Sequence, residues 1–489
     1  MNRKGFTLIE LLAVIVILAV IAIIVTPIIA STINSVKDQA NQRTMDGYAR
    51  AAEEYIFSEK VKGNDVSGTN VLSKLQVGGS KATGGTIFAS SDGKASLALV
   101  ISGICYTKNG DNPVAKADMS ECNSTTYRDY VLNSADPVLT SGMIPVNIAN
   151  DGTVTKADTT TNWYSYENKK WANIVLVSDP TVVRNNGDVI NNILAYFVWI
   201  PRYRYQLFNA TGASGTKSQT INIAFESSST SKSNGTTNGT WLTHPAFTFG
   251  SEEVNGFWFG KFATTGSATA PTILPKLLMI TGHNLATEFT TAQKFSTYGL
   301  TNVDSHMVKN SEWGAVAYLS YSVYGKNGEV SVNNNSNALT GYAAVNKATA
   351  GWSSTSISIN QFGTDTSVTQ PYNTTVGYGA STTGNITGVY DMSGGIWTNV
   401  MGNLSGNLES SGFTTLPDSK YYESYTSGQN ILGDAMMETA GWNADYNEYV
   451  TTSYPWFVRG GYYKDGIATG IFSYGCGSYG YPFRVALFQ

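Results

Sequence analysis

The hydrophobic pattern opens with a block: Leu11 to Ala30 run uncharged for twenty residues, long enough to cross a bilayer as a helix. Pro27 sits inside that block, where it removes a backbone hydrogen bond and permits a kink. Beyond it Ile33, Val36 and Ala40, then Tyr48, Ala52, Tyr55 and Ile56 recur at helical spacing among Lys, Asp, Gln, Arg and Glu. That pattern predicts an amphipathic continuation. At ~1.5 Å per residue, a helix from Phe6 to about Ser58 is ~80 Å long, half of it beyond the membrane.

From 61 to 155 the chain is richer in Gly, Ser and Lys, with one strand-like run, Ala95 to Tyr106, and a turn at Asn109-Gly110. These predict a small sheet packed on the helix. From about Thr160 short strands alternate with Asn/Gly/Ser turns, and nine of the ten Trp fall between Trp171 and Trp456, which indicates a second core. Ala195 to Tyr205 and Phe257 to Phe262 read as strands, and Glu226 to Thr243 as a surface loop. Asn310 to Ser320 is the clearest helix of this region, with Asn310 as N-cap, Glu312 in the first turn, and Trp313, Val316, Ala317 and Ser320 on one face. Trp313 is assigned to the core.

Composition narrows the functions. Only 13% of residues are charged and 12% are aromatic, with 49 Gly and a net charge of −4. Ser, Thr, Asn, Gly and Tyr replace the charges, a mixture suited to exposed strands and adaptable contact surfaces. The 31 basic against 35 acidic residues give no basic field, so general nucleic-acid binding is not expected. Three Cys and three His form no zinc ribbon, CxxC pair or HExxH helix, and no metal or cofactor is expected. Cys105 and Cys122 close a short loop; in an exported chain they pair as a disulfide, the alternative being two buried thiols.

Glu10 interrupts the apolar N-terminus. A secretory signal peptide has a shorter apolar region and a small-residue cleavage site, and a plain anchor has no use for a carboxylate that is costly to bury unpaired. Lys4-Gly5-Phe6-Thr7-Leu8-Ile9-Glu10 followed by an aliphatic helix resembles the processing and assembly segment of type IV prepilins and pseudopilins. The resemblance implies cleavage after Gly5 by a membrane-embedded prepilin peptidase and methylation of the new Phe6 amine. It also implies pairing of Glu10 with the Phe6 amine of a neighbouring subunit. Arg3 and Lys4 stay cytoplasmic before cleavage, in keeping with the positive-inside rule. Their removal takes the side-chain total from −4 to −6.

Four pieces of the C-terminal region come in order: Ser311-Glu312-Trp313, Gly388 to Trp397 with Tyr390-Asp391-Met392-Ser393-Gly394, Phe457-Val458-Arg459-Gly460-Gly461, and Pro482-Phe483-Arg484-Val485. Together they resemble the formylglycine-generating enzyme-like (sulfatase-modifying factor) domain, a variant of the C-type lectin fold, over roughly 190 to 489. Enzymes of that family use two cysteines, which hold copper, between the second pair of motifs, whereas Gly461 to Tyr481 contains only Cys476. Where many members carry Asn and Glu ligands near the Tyr-Asp-Met-Ser-Gly motif, this chain has Gly395 and Thr398, which puts a calcium site in doubt. His244, His283 and His306 lie far apart and are read as structural.

Binding has positive support. Tyr462, Tyr463, Lys464 and Asp465, then Ser473, Tyr474, Ser478, Tyr479 and Tyr481, interleave Tyr and Ser with Gly, as binding loops do; the alternative is a glycine-rich turn region whose tyrosines pack. This terminal segment also resembles the variable region of C-type-lectin-like proteins diversified by retroelements. Trp442, Tyr446, Tyr449, Tyr454 and Trp456 either extend the same surface or belong to the core.

The expectation is therefore an α+β chain. It has a leader at 1–5, a long pilin-type helix at 6–60, a small β head at 61–155 and an irregular C-type-lectin-like domain at 160–489. It would be a prepilin-like subunit, minor or tip because of its large head, reaching the cell surface or an extracellular filament from the cytoplasmic membrane. Its partners would be the prepilin peptidase, other pilin subunits and an extracellular protein or glycan ligand. The alternatives are a pseudopilin of a secretion or DNA-uptake system and a membrane-anchored oxidase of the formylglycine-generating type.

Overall fold

The computed structural model describes residues 36–64, 66, 69–78, 81–89, 94–110, 114–117, 119–123, 136–159, 163–166, 168–183, 185–207, 218–344, 369–477 and 480–489. Gly5, Phe6, Glu10, the apolar block Leu11 to Ala30, Ser478 and Tyr479 lie outside the described residues. The chain divides into two units, Met1–Leu132 and Asn133–Gln489, and the architecture is a helix followed by mostly β structure, an α+β chain.

In the first unit the helix 36–61 buries Asn41, Met45, Tyr48, Ala49, Ala52 and Ile56. That stripe has the i, i+4, i+7 spacing of one helix face. Val36 and Ala40, expected on it, are exposed instead, because the buried face begins at Asn41. Asn41 Nδ2 donates to Tyr106 Oη at 3.1 Å and Tyr106 Oη donates to Asp38 Oδ1 at 3.1 Å, so polar side chains fix the helix to the sheet. The run Ala95 to Tyr106 is two strands, not one: Ala95–Ile101 and Ile104–Asn109 pair antiparallel. Ser102 and Gly103, at φ 54° and 77°, make the turn, the double positive φ that a two-residue hairpin requires. Gly84–Ala89 and Ala115–Lys116 complete a four-stranded antiparallel sheet in sequence order. Cys105 is disulfide-bonded to Cys122, which lies on the short helix Met119–Asn123.

The second unit starts earlier than 160. Strands Ile144–Ile148 and Val154–Lys156, assigned from sequence to the pilin-type head, pair instead with Asn173–Val177 and each other. They form one end of a seven-stranded antiparallel sheet ordered Asp304–Met307, Val485–Phe488, Gly256–Gly260, Ile193–Pro201, Asn173–Val177, Ile144–Ile148, Val154–Lys156. The expected strand Ala195 to Tyr205 breaks at Arg202, and Tyr203–Gln206 joins a separate small sheet with Ile223–Phe225 and Trp241–Thr243. Trp241–Thr243 thus converts the end of the expected 226–243 loop into strand. Arg202 is buried at that break, held by Glu226 at 3.1 Å and Glu253 at 2.7 Å.

A second sheet, ordered Glu423–Tyr425, Thr398–Leu404, Trp456–Arg459, Tyr474–Cys476, is antiparallel except for its first pair. The core contains Trp171, Trp199, Trp258, Trp313, Trp442 and Trp456 at 2% exposure or less, each worth ~1.5–3 kcal/mol or more of burial. The helix Asn310–Ser320 is buried on every side rather than on one face, and its N-cap is Lys309, not Asn310. Glu312 Oε2 accepts from Lys309 N at 2.9 Å, which satisfies one of the helix's first amides.

Candidate functional site

The four sequence segments singled out above converge on Trp313. Two buried guanidinium groups lie close to its indole, Arg459 at 5.6 Å and Arg484 at 5.8 Å from the ring centre. Trp313 Nε1 donates to Ile471 O at 2.8 Å. Arg459 donates to the carbonyls of Asp434 at 2.8 Å, Ala435 at 2.8 Å and Ser473 at 3.2 Å. Arg484 donates to Gly260 O at 2.9 Å and to Tyr390 O. Asp391, at φ 58°, accepts from Gly341 N at 2.8 Å, Asn333 Nδ2 at 2.8 Å and Ala263 N at 3.2 Å. Burial pushes the Asp391 carboxyl above its ordinary range, and Arg484 opposes that rise. Gly460 and Gly461 both adopt positive φ, 86° and 77°, so the two glycines after Arg459 serve a backbone reversal that side-chain-bearing residues resist. These motifs are therefore frame.

The surface that the frame carries is aromatic. Trp397, immediately before strand Thr398–Leu404, meets Tyr446 edge-on at 5.9 Å. Both stand over Gly475, where an added Cβ would lie 3.6 Å from Tyr446 and 3.7 Å from Trp397. Tyr446 Oη donates to Glu448 Oε2 at 2.8 Å, and burial, then that carboxylate, pushes the phenol up to about 12. Burial raises the Asp465 carboxyl, and Tyr462 N, which donates to its Oδ2 at 3.1 Å, and Trp397 oppose that rise. Tyr462 and Tyr463 meet at 4.5 Å, and Lys464 Nζ lies 6.0 and 5.4 Å from their ring centres. Gly477 leaves room for Tyr481, whose Cε2 would be 2.7 Å from a Cβ there. Trp397, Tyr446, Tyr462, Lys464, Asp465, Cys476 and Tyr481 are all half-buried, each with part of its surface in solvent.

The residues expected to bind do not all reach this face. Ser473 is fully buried and donates to Ala468 O at 2.8 Å, and Tyr474 is 3% exposed in the strand Tyr474–Cys476. Pairing of that strand with Trp456–Arg459 sets Tyr474 opposite the buried Arg459. Tyr463 is 8% exposed and backs Tyr462 rather than extending the face. Of the upstream aromatics, Trp442 and Trp456 are core, Tyr446 and Tyr449 are half-buried, and Tyr454 is 57% exposed. Trp397 was not among the expected contact residues. Its only sequence signal is its place after Gly394-Gly395, whose positive φ values of 79° and 72° end the buried motif and turn the chain outward.

Cys476 is a free thiol, raised by burial first and by Glu448 next. His244 and His306 are buried and hydrogen-bonded, His244 Nδ1 accepting from Ala246 N at 3.2 Å and His306 lying between Asp304 at 2.8 Å and Glu312 at 3.1 Å. Among the described residues no group of three or more His, Cys, Asp or Glu could hold a metal ion.

Residues 1–26 match the family described as the prokaryotic N-terminal methylation motif. That motif indicates a type IV pilin- or pseudopilin-like precursor, processed by a prepilin peptidase and assembled with other pilins through the membrane. No curated protein matches the chain. No helix among the described residues is long and apolar enough to cross a membrane; the run Leu11 to Ala30 lies outside them.

Proposed function

We propose that the chain is a minor or tip subunit of a type IV pilus or related filament, and that its second unit is a C-type-lectin-like domain of the formylglycine-generating enzyme-like kind. That unit binds an extracellular protein or glycan through the face formed by Trp397, Tyr446, Tyr462 and Tyr481, and it does not catalyse. The observation that carries this reading is the half-exposed aromatic cluster with carboxylates Asp465 and Glu448 at its edge. Rings of this kind give contact area at low entropy cost, and the carboxylates accept hydrogen bonds that orient a polar partner.

The motif residues support the fold reading by packing together around Trp313. Catalysis of the formylglycine-generating type needs a cysteine pair, and Cys476 is the single cysteine of its stretch. An array of extracellular glycans and proteins probed with Asn133–Gln489 should give binding that Trp397→Ala and Tyr462→Ala each reduce at least tenfold while Tyr454→Ala does not. Binding that survives both substitutions sinks this face as the contact surface.

A further inference from the structure

Beneath that face the helix Leu285–Ala292 turns a carboxylate inward. Glu288 is 1% exposed, and its Oε2 accepts from Asn399 Nδ2 at 2.9 Å. The two remaining oxygens of this bonded pair, Glu288 Oε1 and Asn399 Oδ1, are buried with no hydrogen-bond partner among the described residues. An ionised carboxylate and an amide carbonyl are both acceptors only, so neither can satisfy the other, and two stranded buried acceptors are costly. One proton on Oε1 removes both deficits. The acid O–H donates to the amide carbonyl while the amide N–H donates to the acid carbonyl.

We infer that Glu288 is a neutral carboxylic acid at neutral pH and closes an acid–amide pair with Asn399, a proton-held latch under the segment that carries Tyr481. Asn399 N donates to Pro482 O at 2.8 Å, and its Nδ2 lies 3.5 Å from Tyr481 O. Asn399 is also two residues beyond Trp397. The latch thus joins the helix to the roots of two residues of the aromatic face. It stands whether or not that face binds a ligand.

Among the described residues around it, no charge takes over the role. On the strand packed against the helix, His306 is engaged by Asp304 and Glu312. In the turn Gln293–Thr297, Lys294 Nζ donates to Ala268 O at 2.6 Å. His283 precedes the helix and Tyr481 flanks Asn399. Burial raises the Glu288 carboxyl to about 8, and only the Asn399 amide opposes it.

The sign follows. The folded value of about 8 exceeds the ordinary 4.5, so the contribution is fully present below 4.5 and is lost as pH rises to about 8. Across that window the folding equilibrium should weaken by roughly a thousandfold from this group.

The test uses the full chain in detergent micelles, unfolded by urea between pH 5 and 9 and followed by Trp fluorescence, since every Trp lies in the second unit. Glu288→Gln places an N–H where the acid O–H stood, so it should fold and should lose the pH slope the native protein shows. Equal slopes in the two proteins overturn the latch. Difference infrared spectroscopy supplies an independent readout: a protonated carboxyl carbonyl band that is present at pH 7, vanishes at pH 9 and is missing from Glu288→Gln supports it, whereas a band that Glu288→Gln retains overturns it, as does absence of any such band at pH 7 even where Glu288→Gln fails to fold.

Discussion

Arg484 has no solvent exposure, lies in the field of Asp391, and sits near the rings of Phe259 and Trp313. Burial lowers its guanidinium to about 10, with Asp391 resisting the fall. Removing the guanidinium strands the buried carbonyls of Gly260 and Tyr390 and takes away the positive charge that opposes the rise of Asp391, at about 1–3 kcal/mol for each buried group left unsatisfied. Arg484→Met should therefore destabilise the second unit by that amount in urea titrations read by Trp fluorescence. A loss under ~1 kcal/mol would show that Asp391 does not depend on it. At this scale the sequence shows which residues matter more clearly than which way they face. Arg459, Gly460 and Gly461 stand out as a motif, and their geometry explains them. Tyr462 and Tyr474 look alike in a Tyr/Gly/Ser stretch, yet one is half-exposed and the other is core, because only the second pairs with Arg459 in a sheet. Long-range pairing of that kind has no local signature.

The elements were readable where their signal is local. Helical spacing gave Tyr48, Ala52 and Ile56 as the buried stripe of helix 36–61, and the Asn/Gly/Ser turns gave a strand-rich second region. Boundaries depended on partners. Ala95 to Tyr106 is continuous in hydrophobicity, and the hairpin inside it is visible only as Ser102-Gly103, since Ser is an uncommon residue at positive φ. Ile144–Ile148 carries no mark of the strand it joins, Asn173–Val177.

The Cys105–Cys122 bond closes a loop of 17 residues against the hairpin, a restriction of the unfolded chain worth about 3 kcal/mol. Reduction, or Cys122→Ser, should lower the stability of the first unit by about that much. Because this unit contains no Trp, far-ultraviolet circular dichroism is the measurement, and an unchanged transition would assign the bond no stabilising role.

For the molecule as a whole, the division at Leu132/Asn133 separates the unit that begins with the methylation motif from the larger second unit. Their demands differ: the N-terminal segment must leave lipid for a protein environment, and Glu10 is the charge that needs a partner there. Glu10→Val should leave cleavage after Gly5 intact and lower incorporation into filaments, measured by immunoblotting sheared fibres against processed membrane protein. Undiminished incorporation would count against the pairing.

The strand Val485–Phe488, described above as lying between Asp304–Met307 and Gly256–Gly260, also sets a clock. Both neighbours are made long before it, and Arg484 reaches Gly260 across 224 positions of sequence. A sheet whose interior strand comes last in sequence cannot close before that strand is made, and non-local pairing of this sort takes about milliseconds to seconds. The larger sheet of the second unit should therefore close only once Val485–Phe488 is available, so that its two neighbours, Asp304–Met307 and Gly256–Gly260, have an open edge each until the last strand arrives.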